Sequence, residues 1–245
     1  MNLRYLLLVF GLAAGFATSA QESAPLNSDR PGQTFASPTI AVGALQIQTG
    51  FDWNYIKNTN DVYTTPVYLR YGVTNRLELN AGITPIFNNV LSPFPTFELG
   101  LRYHLVQGDQ FNLTGHGRYF SADGFILGTL SSYWIMANAS YVFNDGSSLN
   151  STFGYVYASS EEDIFGFDRD GSELYLTLNY GIPIGEKWGV FIEGAYFLLN
   201  KTTMPAYQLG IFEGVDLGVS YLIQPNLQLD FFTNAPFSFG TSDGK

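Results

Sequence analysis

The chain has 245 residues, a net charge of −10 and no cysteine. The length fits one domain, the acidic balance argues against a nucleic-acid partner, and the missing thiols exclude disulfides and a lipidated N-terminal cysteine. Charged residues make up 13% and aromatics 16%, whereas a soluble globular domain carries about a quarter charged residues, so something other than water is expected to face much of the surface.

Residues 1–20, MNLRYLLLVFGLAAGFATSA, place Arg4 ahead of an apolar run and finish on small residues. That is the layout of a secretory signal peptide cut before Gln21, and the apolar run is short for a membrane span. Its removal takes one base and no acid, leaving 10 basic and 21 acidic residues and a net charge of −11. Residues 21–40 are rich in Ser, Pro, Thr and Asn without a period, and are expected to form an irregular periplasmic segment. Residues 41–245 are expected to form the folded domain.

Period-two alternation then runs nearly to the end, the pattern of strands with one apolar face. Leu45, Ile47, Phe51, Trp53 and Tyr55 oppose Gln46, Gln48, Asp52 and Asn54. Val67, Leu69 and Tyr71 oppose Tyr68 and Arg70, and Leu77, Leu79 and Ile83 oppose Glu78 and Asn80. Phe97, Leu99, Leu101, Tyr103 and Leu105 oppose Glu98, Arg102 and His104. Further runs cover residues 110–120, 131–143, 148–158, 172–183, 188–198, 207–222 and 227–235, making eleven recognisable strands. Connections after even-numbered strands are short (TN, VQGD, NDGS, IGEK, QPN), with the residues that turns require. Those after odd strands are mostly longer, the longest being residues 159–171. Short turns at one end and longer loops at the other are the rhythm of an outer-membrane barrel. The expected fold is therefore all-β: a transmembrane antiparallel up-and-down β-barrel of about twelve strands. Eleven is an odd count, so the twelfth is expected either to be very short, around Phe237 and Phe239, or to be missing, unless one of the eleven is wrongly divided.

Even strands carry an outward Tyr near the short-turn end: Tyr71, Tyr103, Tyr141, Tyr180 and Tyr221, with Trp188 at the same level. Trp53 lies at the opposite level with Tyr55, Tyr157 and Tyr196. These are read as two aromatic girdles at the lipid interfaces. Alternation alone fits a soluble sandwich or lipocalin-like barrel equally well. The polar face decides for a lumen, because it is built of Gly, Asn, Ser and Gln with a few opposed charges rather than of Lys and Glu.

Along that face, a turn centred on Thr74 sets Arg70 opposite Glu78, and one centred on Gly108 sets Glu98 opposite Arg118 and His116 opposite Gly100. Arg102, His104 and Gln48 share the face. The expected pore lining is thus Gln48, Arg70, Glu78, Glu98, Arg102, His104 and Arg118, with Glu173, Glu193, Asp216 and Asp230 adding acids on the far wall. Such charges bias a pore or simply form a ladder that closes a small barrel. No elbow motif frames a serine and neither histidine has metal-ligand spacing, so no enzyme, metal or cofactor is expected. Asp168–Gly171 holds only a fragment of a calcium loop.

Two segments also resemble a known family. Residues 27–51, NSDRPGQTFASPTIAVGALQIQTGF, and residues 68–83, YLRYGVTNRLELNAGI, resemble the opening and the next hairpin of the meta-pathway phenol-degradation family of bacterial outer-membrane β-barrel proteins. The resemblance implies an outer-membrane barrel with a transport role, aromatic or hydrophobic compounds being among the solutes it suggests. The chain departs from the family where a final strand ending in an aromatic residue is expected.

The expectation is a Gram-negative outer-membrane channel or passive, porin-like transporter for small solutes, with membrane lipid and solute as its partners. A non-transporting structural or interaction barrel with acidic external loops is the competing class, and a lipid-active hydrolase the third.

Overall fold

The computed structural model describes residues 34–35, 37–54, 62–88, 94–124, 128–160, 171–202, 211–225 and 227–235. The expected signal peptide, residues 21–33, residues 161–170 of the longest loop and the expected twelfth strand lie outside the described residues.

Among the described residues every regular element is a strand. The first four are short: β1 Leu45–Thr49, β2 Asp52–Asn54, β3 Val62–Thr64 and β4 Val67–Gly72. The next four are β5 Leu77–Asn88, β6 Phe94–Gln107, β7 Phe111–Gly124 and β8 Gly128–Val142. The last five are β9 Ser148–Ser160, β10 Gly171–Ile184, β11 Trp188–Thr202, β12 Ile211–Gln224 and β13 Leu227–Ala235. The ladder runs β1-β4-β5-β6-β7-β8-β9-β10-β11-β12-β13, each strand antiparallel to the next, while β2 and β3 extend the first hairpin.

The eleven expected strands are the eleven rungs of this ladder. The first breaks into β1 and β2 at Gly50 and Phe51, and β3, set off from β4 by Thr65 and Pro66, adds residues that the expected second strand did not include. Proline has no N–H for a ladder; its carbonyl still accepts from the Gly50 amide at 3.3 Å. Strands β5 to β12 have 12 to 15 residues, more than the roughly 9–11 that a tilted strand needs to cross a bilayer.

One expectation is corrected. The described residues form an open sheet, not a closed barrel: β1 and β13 have no hydrogen bonds to each other. Parity explains this. Eleven alternating strands leave β1 and β13 pointing the same way, so antiparallel closure calls for one strand more.

Burial alternates along the strands in the inverted sense. In β4, Tyr68, Arg70 and Gly72 are buried while Val67, Leu69 and Tyr71 are exposed. Arg70, Glu78 and Arg102 are 0% exposed, whereas Leu99 is 63% and Ile135 71% exposed. One layer of sheet can bury a face only by rolling around it. Residues 34–40 show how far it rolls. The Thr34 amide reaches Glu193 on β11, and the Pro38 carbonyl reaches Arg70 on β4. The five residues from Thr34 to Pro38 span at most about 18 Å, whereas the seven strand spacings from β4 to β11 would cover ~34 Å if flat. The polar face is therefore concave, and residues 34–35 and 37–40 lie inside the curve.

Candidate functional site

The most buried charges gather on β4, β5 and β6. Glu78 accepts from Arg70 Nε at 2.7 Å and from its Nη2 at 2.8 Å, and Arg102 Nη1 stands 3.9 Å from the same carboxylate. The turn centre lies one residue later than expected, which moves each pairing by two residues and keeps every side chain on its expected face. The first short turn centres on Asn75, so Arg70 faces Asn80, and Glu78 faces Gly72 and Arg102. Thr74 sets this turn, its Oγ1 accepting from the Arg76 and Leu77 amides at 3.1 and 2.9 Å. The Arg70–Glu78 pair survives as a diagonal contact, within reach of long side chains. Arg118 likewise faces Gly100 rather than Glu98, and His116 faces Arg102 rather than Gly100. The Arg118–Glu98 ion pair again forms diagonally.

Arg118 is also framed by rings. Its guanidinium carbon lies 4.6 Å from the Phe35 ring centroid and 4.5 Å from that of Phe120, a cation–π arrangement on both. The Phe35 ring meets His116 edge-on at 5.2 Å. His116 Nε2 lies 3.4 Å from Asn80 Nδ2, and His104 Nε2 lies 3.1 Å from Asn112 Oδ1. Gln48 and Asn138 are buried, and among the described residues neither amide finds a hydrogen-bond partner.

Two polar rows run round the far side of the curve. Thr114, Asn138, Thr152 and Thr177 are successive register partners across β7, β8, β9 and β10, and all four are 0% exposed. Two residues along each strand lies a second row: Asn112, Ser140, Asn150, Asn179, Glu193 and Asp216. Together they place the acids Glu193 and Asp216 across the interior from Arg70, Arg102 and Arg118.

Thr34, Phe35 and Ser37 lie on these rows. Thr34 Oγ1 donates to Thr177 Oγ1 at 2.7 Å, and its amide donates to Glu193 Oε2 at 3.0 Å. The Phe35 amide donates to Thr152 Oγ1 at 3.0 Å, and the Ser37 amide to Ser140 Oγ at 3.2 Å. Ser37 Oγ pairs with Thr114 Oγ1 at 3.1 Å, and the same threonine hydroxyl donates to the Ser37 carbonyl. At the basic end the Ile40 amide donates to Glu78 Oε2 at 3.1 Å, while the Pro38 carbonyl accepts from Arg70 Nη2 at 3.3 Å. Gly43, at φ 74°, then turns the chain into β1, with its amide on the Gly72 carbonyl at 2.8 Å.

All seven expected lining residues thus share the concave face. What the sequence reading missed is the occupant of that face and the rows that bind it, since the hydroxyl and amide residues of β7 to β12 read individually as ordinary polar-face positions. Only their alignment across five registers makes a track.

On the convex face, Tyr71, Tyr103, Tyr141, Tyr180, Trp188 and Trp53 are exposed, and Tyr221 is half-buried. Trp188 packs on Tyr221 at 4.4 Å, and Phe143 bridges Tyr141 and Tyr180 at 4.9 and 6.4 Å. Each of these contacts lies at the short-turn end. No protein-family model matches the chain, and no curated protein matches it.

Proposed function

We propose that the chain is an outer-membrane β-barrel conducting small solutes passively through a narrow polar interior. The observation that carries this reading is the inversion of the two faces. Ion-paired Arg70 and Glu78 are wholly buried, while Leu99, Ile135 and Phe231 stand more than half exposed on the opposite face. In water such a surface would be costly. In lipid it is the face that strands must present, and a ladder satisfies the backbone groups that lipid cannot. The aromatics at the short-turn end fit a headgroup-level girdle.

The unpartnered amides of Gln48 and Asn138 favour water in the interior, since buried polar groups seek a partner. The resemblance of residues 27–51 and 68–83 to the phenol-degradation family supports the same class. Closure is part of the proposal: one further antiparallel strand between β13 and β1, expected around Phe237 and Phe239.

Current across a planar bilayer tests the reading. The reconstituted chain is expected to conduct, and Arg102→Ala is expected to shift its reversal potential toward cation preference, because it removes one of the buried cations facing the lumen. No current, or no shift with Arg102→Ala, would count against a selective channel. The occupied interior favours a second reading, a structural barrel that transports nothing, and the absence of current is its expected result.

A further inference from the structure

We infer that residues 34–40 form a removable plug, and that their withdrawal from the interior is the step that opens the path. This rests on the channel reading above and adds the state in which the channel is shut.

Three observations set the segment apart from a permanent core. Its bonds to the wall are exchangeable. Thr34, Phe35, Ser37 and Ile40 are held by hydroxyl and carboxylate groups of the wall, bonds that water can replace at small net cost. Phe35 is the aromatic anchor, and it packs on Arg118 and His116, which are polar groups that water can take over.

The ladder of the wall also does not depend on the segment. Each strand from β4 to β12 is bonded to its neighbours on both sides. Arg70 remains paired to Glu78, and Arg118 to Glu98. Withdrawal therefore breaks neither of these interior ion pairs, the event that is costly, and Glu193 keeps the Asn179 amide when it loses that of Thr34.

The segment has a pivot at one end. Gly43 adopts a positive φ, and the space where a side chain would stand is open. It lies against Gly72, which ends β4 at the short-turn end. Rotation there would carry residues 34–40 out at that end while β1 stays paired to β4.

A tether tests the plug. The natural chain has no cysteine, so Ser37→Cys with Thr114→Cys introduces the only two thiols, at positions whose hydroxyl oxygens are 3.1 Å apart. The full chain is reconstituted in planar bilayers, and the cross-link is verified by peptide mass. Current is expected in the reduced protein, lost on oxidation and restored by dithiothreitol. Unchanged current with the cross-link formed overturns the plug and leaves the channel reading standing. Failure of the cross-link to form places Ser37 away from β7 and also overturns it. A chain starting at Ala41, refolded into the same bilayer, covers the case in which the double variant is silent when reduced. Current from that chain supports the plug, and silence from it while the natural chain conducts overturns it. Silence from every form, the natural chain included, removes the channel reading and the plug with it.

Discussion

The Thr34 amide and the Glu193 carboxylate meet at 3.0 Å, although 159 residues separate them in the chain. Asn179 Nδ2 donates to the same oxygen at 3.3 Å. A carboxylate 1% exposed needs such donors, because an unsatisfied buried charge is expensive. The contact ties the start of the irregular segment to the acidic wall, while Pro38 and Ile40 tie its other end to the Arg70–Glu78 pair. The segment thus spans the interior from acid to base.

Glu78 is the junction most sensitive to substitution. It takes two bonds from Arg70 and one from Ile40, with Arg102 close by. Glu78→Ala leaves buried arginines without this counter-charge and is expected to cost about 3–5 kcal/mol. Glu78→Gln keeps an acceptor for Ile40 but loses the charge, and an intermediate loss is expected. Urea titration of the lipid-refolded protein measures both. A loss for Glu78→Ala below that of an outward Leu99→Ala control would refute the junction role.

Gly72 allows the segment to pass close to the sheet. A Cβ there would stand 2.1 Å from the Ala41 carbonyl oxygen, a backbone atom with little room to yield. Gly72→Ala is expected to lift Ala41 and to weaken the Gly43 amide bond to residue 72. Hydrogen exchange should then quicken at Ile40 and Gly43 while β6 to β9 keep their protection. Uniform exchange across the chain, or no change at Ile40, would contradict this close approach.

The strands were legible because one face of each is apolar without exception over most of its length, and period two has no other common cause. The turn centres were legible to within one residue and the pairings to within two. Spacing puts the turn centre at Thr74, whereas Thr74 is the residue whose hydroxyl organises a turn centred on Asn75. The breaks in the first hairpin follow from Pro66, visible in the sequence but masked by the alternation on either side. The interior segment was not legible. Residues 34–40 have no period, and their partners are hydroxyls, carboxylates and an arginine on seven different strands. Nothing local distinguishes Thr152 or Thr177 from any other inward threonine. The Phe35–Arg118 contact spans 83 positions and depends on how far the sheet rolls, which alternation does not encode.

Asp145 controls the NDGS turn between β8 and β9. Its carboxylate accepts from Ser147 Oγ at 2.7 Å and from the Ser147 amide at 3.0 Å. These bonds, the side-chain one foremost, hold its pKa below the ordinary 3.8. The stabilisation is therefore fully present above the ordinary value and is lost as pH falls through the folded one. Carboxyl carbon titration by NMR is expected to give a lower midpoint for Asp145 in the natural chain than in Ser147→Ala. Equal midpoints would remove Ser147 as the cause.

The three tryptophans offer a direct test of which face meets lipid. Trp53 and Trp188 are 63% and 51% exposed on the convex face. Trp134 points inward, with its ring 5.2 Å from Phe120 and 5.6 Å from Tyr175 and its indole N–H donating to Ser132 at 3.1 Å. Single-tryptophan proteins made by Trp→Phe at the other two positions are reconstituted in vesicles of brominated phosphatidylcholine. Bromine quenches only fluorophores that touch the acyl chains, so Trp53 and Trp188 are expected to dim and Trp134 to remain bright. At girdle level, Trp188 should respond more to bromine near the headgroup than to bromine near the chain end. A soluble sandwich would dim none of the three, and a sheet rolled the other way would dim Trp134 alone. The three-way comparison thus reads the direction of the roll independently of any current, and a dim Trp134 beside a bright Trp188 would overturn the inverted-face assignment on which the channel reading stands.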